Sequence, residues 1–169
     1  MKYFIDTEFY DDGIILHPIS IGIVDENGSE LYLEYEFDID SFKPNDNIKW
    51  LKENVMTSLH GKQTNSELIR CELANYFSNT SGYDIKEFWL YYGTWDWLIF
   101  VRSIAEGGLM LNLPYNFKMY FNEIMQLGEQ NVVKAKKDLD SNGAIYNHNA
   151  LADAKYQRDL YNSIVKNEI

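Results

Sequence analysis

The sequence predicts an α/β protein, a sheet flanked by helices, and three observations carry that expectation. Three strand-like runs open the chain, the second and third joined by an Asn-Gly turn. Helix-like and strand-like stretches then alternate. A length of 169 residues suits one domain spanning 1–169 and is short for two.

Lys2 to Asp6 is a nearly all-apolar run, as expected of a central strand covered on both faces. Ile19 to Asp25 and Ser29 to Phe37 follow, with Glu26, Asn27 and Gly28 between them, so the first three strands should form a meander. Pro44 to Val55 reads as a helix with Ile48, Trp50 and Leu51 on its apolar side. Thr64 and Glu67 have capping-box spacing, and Ile69, Leu73, Tyr76 and Phe77 recur behind them at helical intervals. On that helix the lone Cys71 reads as a small core residue. Glu87 to Tyr92 is a fourth strand, and Thr94 can cap a helix running to about Ala105, with Gly107 as its stop. Phe117 to Phe121 is a short fifth strand leading into a helix over Glu123 to Glu129, and the last helix covers Leu151 to Lys166. The stretch from Asn131 to Asn147 looks the least ordered.

An apolar fraction of 46% and an aromatic fraction of 15% fit a folded globular chain, and no stretch reaches the apolar length of a membrane span, so no membrane partner is expected. Met1 and Lys2 lead straight into strand-like sequence without a basic-then-apolar leader, which points to the cytoplasm. The net charge of −11 opposes binding to a polyanion. Two divalent cations held by four of the acids would return four positive charges at one place.

Side chains two apart on a strand share a face, so Asp6 and Glu8 should converge, about 7 Å apart by Cα spacing. Two acids so placed repel unless a cation joins them. Asp96 falls in the first turn of a helix, where the helix dipole alone could explain it. Asp153 shares a helical face with Tyr156, Leu160 and Ile164, and an acid on a packing face must be paired, protonated or bound to metal. His148, five positions earlier, can face the same space; His17 and His60 read as ordinary surface or core histidines. Ligands offering only oxygen suit two Mg²⁺ or Mn²⁺ ions, and no Cys and His cluster suggests structural zinc. A neutral histidine nearby can take a proton from water near pH 7. Together these parts make a phosphodiester hydrolase.

Phe4-Ile5-Asp6-Thr7-Glu8-Phe9, Tyr91-Tyr92-Gly93-Thr94-Trp95-Asp96-Trp97 and His148-Asn149-Ala150-Leu151-Ala152-Asp153-Ala154 resemble, in order and spacing, the three motifs of the DEDDh 3′-to-5′ exonucleases, the ribonuclease T-like group. A compact bacterial and phage branch of exoribonucleases is similar also over Ile19 to Val24 and Trp50 to Val55. The resemblance implies the ribonuclease H-like fold, with a mixed central sheet of about five strands, an antiparallel meander followed by parallel strands. It further implies that Asp6, Glu8, Asp96 and Asp153 bind the metals and that His148 is the general base. Nucleoside 5′-monophosphates would be released from a free RNA 3′ end, or from single-stranded DNA, by a homodimer. A catalytically silent nucleic-acid-binding module on the same fold is the rival reading. Two features depart from the family pattern: the length of 131–147, and Asn122-Glu123 where an Asp often follows the fifth strand.

Unpaired bases stack on aromatic faces, which makes Phe9, Tyr10 and Trp95 candidate substrate contacts, whereas Trp97 should fill the core. Asn149, beside the histidine, is a further candidate. Lys134, Lys136 and Lys137 form the clearest basic cluster and are candidates for phosphate contact from a loop.

Overall fold

A computed structural model describes residues 1–78, 86–105, 117–143 and 147–166, with the backbone alone at 117–119. Six strands form one sheet: β1 (Lys2–Asp11), β2 (Leu16–Asp25), β3 (Glu30–Tyr35), β4 (Gln63–Thr64), β5 (Lys86–Leu90) and β6 (Phe117–Glu123). Their spatial order is β4-β3-β2-β1-β5-β6. The β1–β2 and β2–β3 pairs are antiparallel, whereas β1–β5, β5–β6 and β3–β4 are parallel. The mixed sheet, the meander and the later parallel strands therefore match the sequence expectation, with the two-residue β4 as the added strand. Five helices accompany them among the described residues: α1 (Asp46–Asn54), α2 (Ser66–Ser78), α3 (Thr94–Ala105), α4 (Glu129–Ser141) and α5 (Ala150–Lys166).

The period of two along β1 sorts its side chains to two separate cores. Tyr3 and Ile5 pack with Ile69, Leu73 and Phe77 of α2 and Phe100 of α3. Phe4 faces the opposite side, with Val132 of α4 and Leu160 and Tyr161 of α5. A third cluster joins Tyr10 and Ile19 to Ile48 and Leu51 of α1. At the expected hairpin, the Asp25 carboxylate accepts the N–H groups of Asn27 (2.8 Å) and Ser29 (2.9 Å), and Gly28 takes the positive φ of 92° that such a turn requires.

Several expectations are corrected. The first part of segment 131–147 is helix where a loop was expected: α4 occupies 129–141, entered through Gly128 at φ 100°, and buries Val132 and Ala135. Lys134, Lys136 and Lys137 therefore sit on a helix, and the Lys136 ammonium lies 5.3 Å from the Tyr91 ring centre. Over Glu123 to Glu129 the chain makes a 3-10 turn, Ile124–Leu127, since the helical start there is interrupted at Gly128. The cap of α2 is Asn65, which accepts the Leu68 N–H at 3.0 Å, because Thr64 is engaged in β4 opposite Tyr35. Cys71 is exposed, not in the core: Ile69, Leu73 and Phe77 take the buried stripe of α2. Gly93 precedes Thr94 as the residue whose carbonyl accepts the first helical N–H of α3, from Trp97. Gly107 lies outside the described residues. No helix among those described is long and apolar enough to cross a membrane.

Candidate active site

Strand β5 pairs with β1 only over Lys2–Phe4, so beyond Phe4 one side of β1 opens into a crevice at the carboxyl ends of two parallel strands. Asp6, Thr7 and Glu8 stand along that opening, each buried. The N-terminus of α3 closes it from one side of the sheet and that of α5 from the other. Thr7, between the two acids, donates both its N–H (2.8 Å) and its hydroxyl (2.7 Å) to Asp96 Oδ1, which pulls the first turn of α3 against β1.

On the other face, α5 can approach because β2 carries Gly22 opposite Asp6. A Cβ there would stand 2.3 Å from the Ala150 carbonyl carbon and oxygen and from Leu151 N. Helix α5 is capped by Asn149, whose side-chain oxygen accepts the Ala152 N–H at 3.1 Å. That cap brings Asp153, fully buried, down onto the sheet. Its expected packing neighbours Tyr156, Leu160 and Ile164 are buried with it, whereas Lys155 points out to Glu30.

Glu8, His148 and Asp153 each present a potential ligand atom within 4.8 Å of the others. Asp153 Oδ1 accepts the Asn147 N–H at 2.9 Å. Its Oδ2 is buried and has no hydrogen-bond partner among the described residues. A buried carboxylate oxygen with no partner among the described residues, on an acid close to a second one, is chemically suited to a cation. Burial and the nearby charges of Asp153 and Asp96 push the Glu8 carboxyl up to about 8. Burial likewise raises Asp96 to about 6, against the opposing Thr7 hydrogen bonds, with Glu123 adding to the rise. Burial also raises Asp153. Asp6 is anchored differently, accepting the Gln157 side-chain amide at 2.8 Å. The donor set is hard oxygen with one imidazole, which fits Mg²⁺ or Mn²⁺.

His148 is half-buried and has a φ of 56°, uncommon for a residue with a Cβ, at the turn into α5. Its ring meets Trp50 edge-on at 4.8 Å. Phe9 is half-buried and lines a cleft of about 210 Å³ with Asp11, Asn47 and Trp50. Tyr10 borders the same cleft but is buried, its ring against Phe42 and its hydroxyl bonded to Asn45. Trp95 is 51% exposed beside Asp96, and Trp97 packs against the α2 and α3 core as expected. The Asn149 amide is engaged by the protein at both atoms, capping α5 and donating to the Ser58 carbonyl.

Two structural partners of the acids escaped sequence reasoning. Gln157, fully buried, bridges Asp6 and the Tyr91 N–H (3.1 Å); its only signal is a polar residue on the buried stripe of α5. Glu123 accepts the N–H groups of Tyr92 (2.7 Å) and Gly93 (3.3 Å), holding the turn that launches α3.

The family described as the Rv2179c-like 3′-5′ exoribonuclease domain matches residues 1–165. The 3′-5′ exoribonuclease Rv2179c of Mycobacterium tuberculosis H37Rv is 33% identical over 134 residues, covering 76% of this chain and 74% of that protein. Among solved structures, yeast CAF1 bound to the NOT1 MIF4G domain represents a complex whose matched chain superposes with a TM-score of 0.58 at 12% identity, covering 99% of this chain and 78% of the other. E. coli exonuclease I in complex with a dT13 oligonucleotide superposes with a TM-score of 0.56 at 14% identity, covering 98% of this chain and 40% of the other. At such identities these two likenesses concern the fold, and they agree with the ribonuclease H-like expectation. On the family match and the identity to the mycobacterial relative, the chain belongs to the Rv2179c-like 3′-5′ exoribonuclease domain family and is a 3′-to-5′ exonuclease.

Proposed function

We propose that this exonuclease removes nucleoside 5′-monophosphates one at a time from free single-stranded 3′ ends of RNA, with Asp6, Glu8, Asp96 and Asp153 holding two Mg²⁺ or Mn²⁺ ions and His148 as general base. The observation that carries the reading is the meeting of Glu8, His148 and Asp153 within 4.8 Å, with a buried Asp153 oxygen left unpartnered among the described residues. When bound, the cations would relieve the repulsion among the carboxylates and stabilise charge on both oxygens of an in-line displacement at phosphorus.

The remaining work falls to the protein's own groups. Asp153 and Glu8 stand beside the imidazole, so a water oriented there has a base within reach. Thr7 and Gln157 hold Asp96 and Asp6 in place before substrate arrives, which limits reorganisation during the reaction. Phe9, in its cleft, and Trp95, on the surface next to Asp96, offer faces on which the terminal bases can stack. Lys134 and Lys137 remain exposed on α4 for phosphate contact.

The test uses matched 5′-labelled RNA and DNA strands carrying a 3′-hydroxyl or a 3′-phosphate, with Mn²⁺ or with excess chelator. The expected result is a ladder shortening from the 3′-hydroxyl of RNA, slowed by the 3′-phosphate and absent in chelator. Full activity in chelator, or products from internal cuts, would sink the reading. Faster degradation of DNA would replace RNA as the substrate while leaving the site intact.

A further inference from the structure

His148 is held in an uncommon backbone conformation, and something must hold it there. The structure supplies a brace from a distant part of the chain. After α1 a 3-10 turn spans Met56–Ser58. The Ser58 hydroxyl shares its proton between the Val55 carbonyl at 2.8 Å and the His148 carbonyl at 2.9 Å. The Ser58 carbonyl in turn accepts the Asn149 amide at 3.1 Å. One serine therefore grips two consecutive residues some 90 positions away, while Trp50 of the same unit packs on the imidazole.

The unit is itself fixed to the fold. Ile48, Leu51 and Val55 are buried beneath it. Two residues past Ser58, the His60 N–H donates to Glu34 of β3, a carboxylate only 2% exposed. Glu34 lies on the same sheet row as Glu8, with Ser20 between them in register. The brace is thus referenced to the strands that carry the acids, so the imidazole and the carboxylates share one frame.

We propose that Ser58 is a positioning residue for His148, setting the direction of its imidazole through the carbonyl and the Asn149 side chain. The inference rests on the reading of His148 as general base. Ser58 bonds to the backbone of the histidine turn and to its cap, so its loss should misdirect the base while leaving ligand and base-stacking groups in place. A displacement of about 1 Å at a catalytic group can lower a rate by about a hundredfold.

The experiment compares Ser58→Ala, the shape-matched pair Ser58→Thr and Ser58→Val, His148→Ala, and Ser58→Ala combined with His148→Ala. Each is assayed for kcat, KM, half-saturating Mn²⁺ and melting temperature on a short oligoribonucleotide. Ser58→Ala and Ser58→Val should lower kcat by about tenfold to a hundredfold, with KM and half-saturating Mn²⁺ within about twofold. Ser58→Thr should restore most of the rate. In the His148→Ala background, Ser58→Ala should have no further effect, because residues acting through one another are not additive. An equal loss from Ser58→Ala with and without His148 overturns the proposal, as does Ser58→Val matching Ser58→Thr. A crippled His148→Ala beside an unimpaired Ser58→Ala refutes the brace alone. Wild-type kcat in His148→Ala would instead remove the general-base reading, and the brace with it.

Discussion

The hairpin of β1 and β2 treats acidic side chains in opposite ways within a few residues. Asp12, at its tip, is surrounded by donors: the N–H groups of Ile14 (2.8 Å) and Ile15 (2.7 Å), and the His17 ring at 2.8 Å. The His17 contact, then the two backbone bonds, lower its carboxyl to about 2. Glu8, four positions earlier, is buried beside Asp153 and Asp96 and is raised to about 8. Donors stabilise an acid that shapes a turn; a buried acid pressed against other carboxylates is where the proposed cations would relieve the repulsion.

The largest expected effect breaks this comparison at the site. Asp153→Asn or Asp6→Ala should lower kcat by about a thousandfold or more, since both remove charge from the proposed cation site. Asp12→Asn should leave kcat and KM unchanged. A single-turnover assay on one oligoribonucleotide decides it, and comparable losses at Asp12 and Asp153 would abolish the distinction.

Stability should move the other way. Because the folded pKa of Glu8 lies above its ordinary value of 4.5, folding favours the protonated form. Its contribution is fully present below about 4.5 and is lost as pH rises toward about 8. Metal-free protein should therefore melt at a lower temperature at pH 8 than at pH 6. Glu8→Gln should flatten that slope and stabilise the metal-free protein at pH 8 by about 1–3 kcal/mol. Mn²⁺ should raise the melting temperature of the wild type more at pH 8 than at pH 6, and should do so little in Asp153→Asn. Calorimetry at the two pH values reads all three shifts.

Asp6 accepts the side-chain amide of Gln157, whose oxygen also accepts the Tyr91 N–H. Gln157→Leu keeps the bulk, removes both bonds and leaves a part-buried N–H without that partner. It should cost about 1–3 kcal/mol in denaturant unfolding and raise half-saturating Mn²⁺. A loss of stability with Mn²⁺ response unchanged would make Gln157 purely structural.

The same contrast explains what could be read from the sequence. The acids of β1 and the His148 to Asp153 stretch were legible because local spacing puts them on a strand face and at a helix start, where neighbouring apolar residues define the packing side. Even so, β1 was expected to end at Asp6 and continues to Asp11, since it stays paired with β2 as far as Leu16. Helix α4 was missed because it buries only Val132 and Ala135 and presents charge elsewhere, so its apolar periodicity is faint. What Glu34, Ser58 and Glu123 do could not be read for another reason. Their roles are hydrogen bonds to backbone groups 26, 90 and 31 positions away, and a backbone acceptor or donor leaves no signature in residue type.

The smallest effect belongs to the hairpin tip. Because Asp12 is lowered below its ordinary 3.8, its contribution is present above that value and disappears as pH falls through about 2. Asp12 is exposed to water at the turn, so solvent screens the His17 pairing and the gain is small. Asp12→Asn should therefore lower the melting temperature slightly at neutral pH and not at all below pH 2, and added salt should shrink the neutral-pH difference. Asn can still accept the Ile14 and Ile15 N–H groups, which separates the charge of Asp12 from its turn geometry. If Asp12→Asn instead lost stability equally at both pH values, the hairpin acid would act by shape alone, and charge would distinguish only the acids of the site.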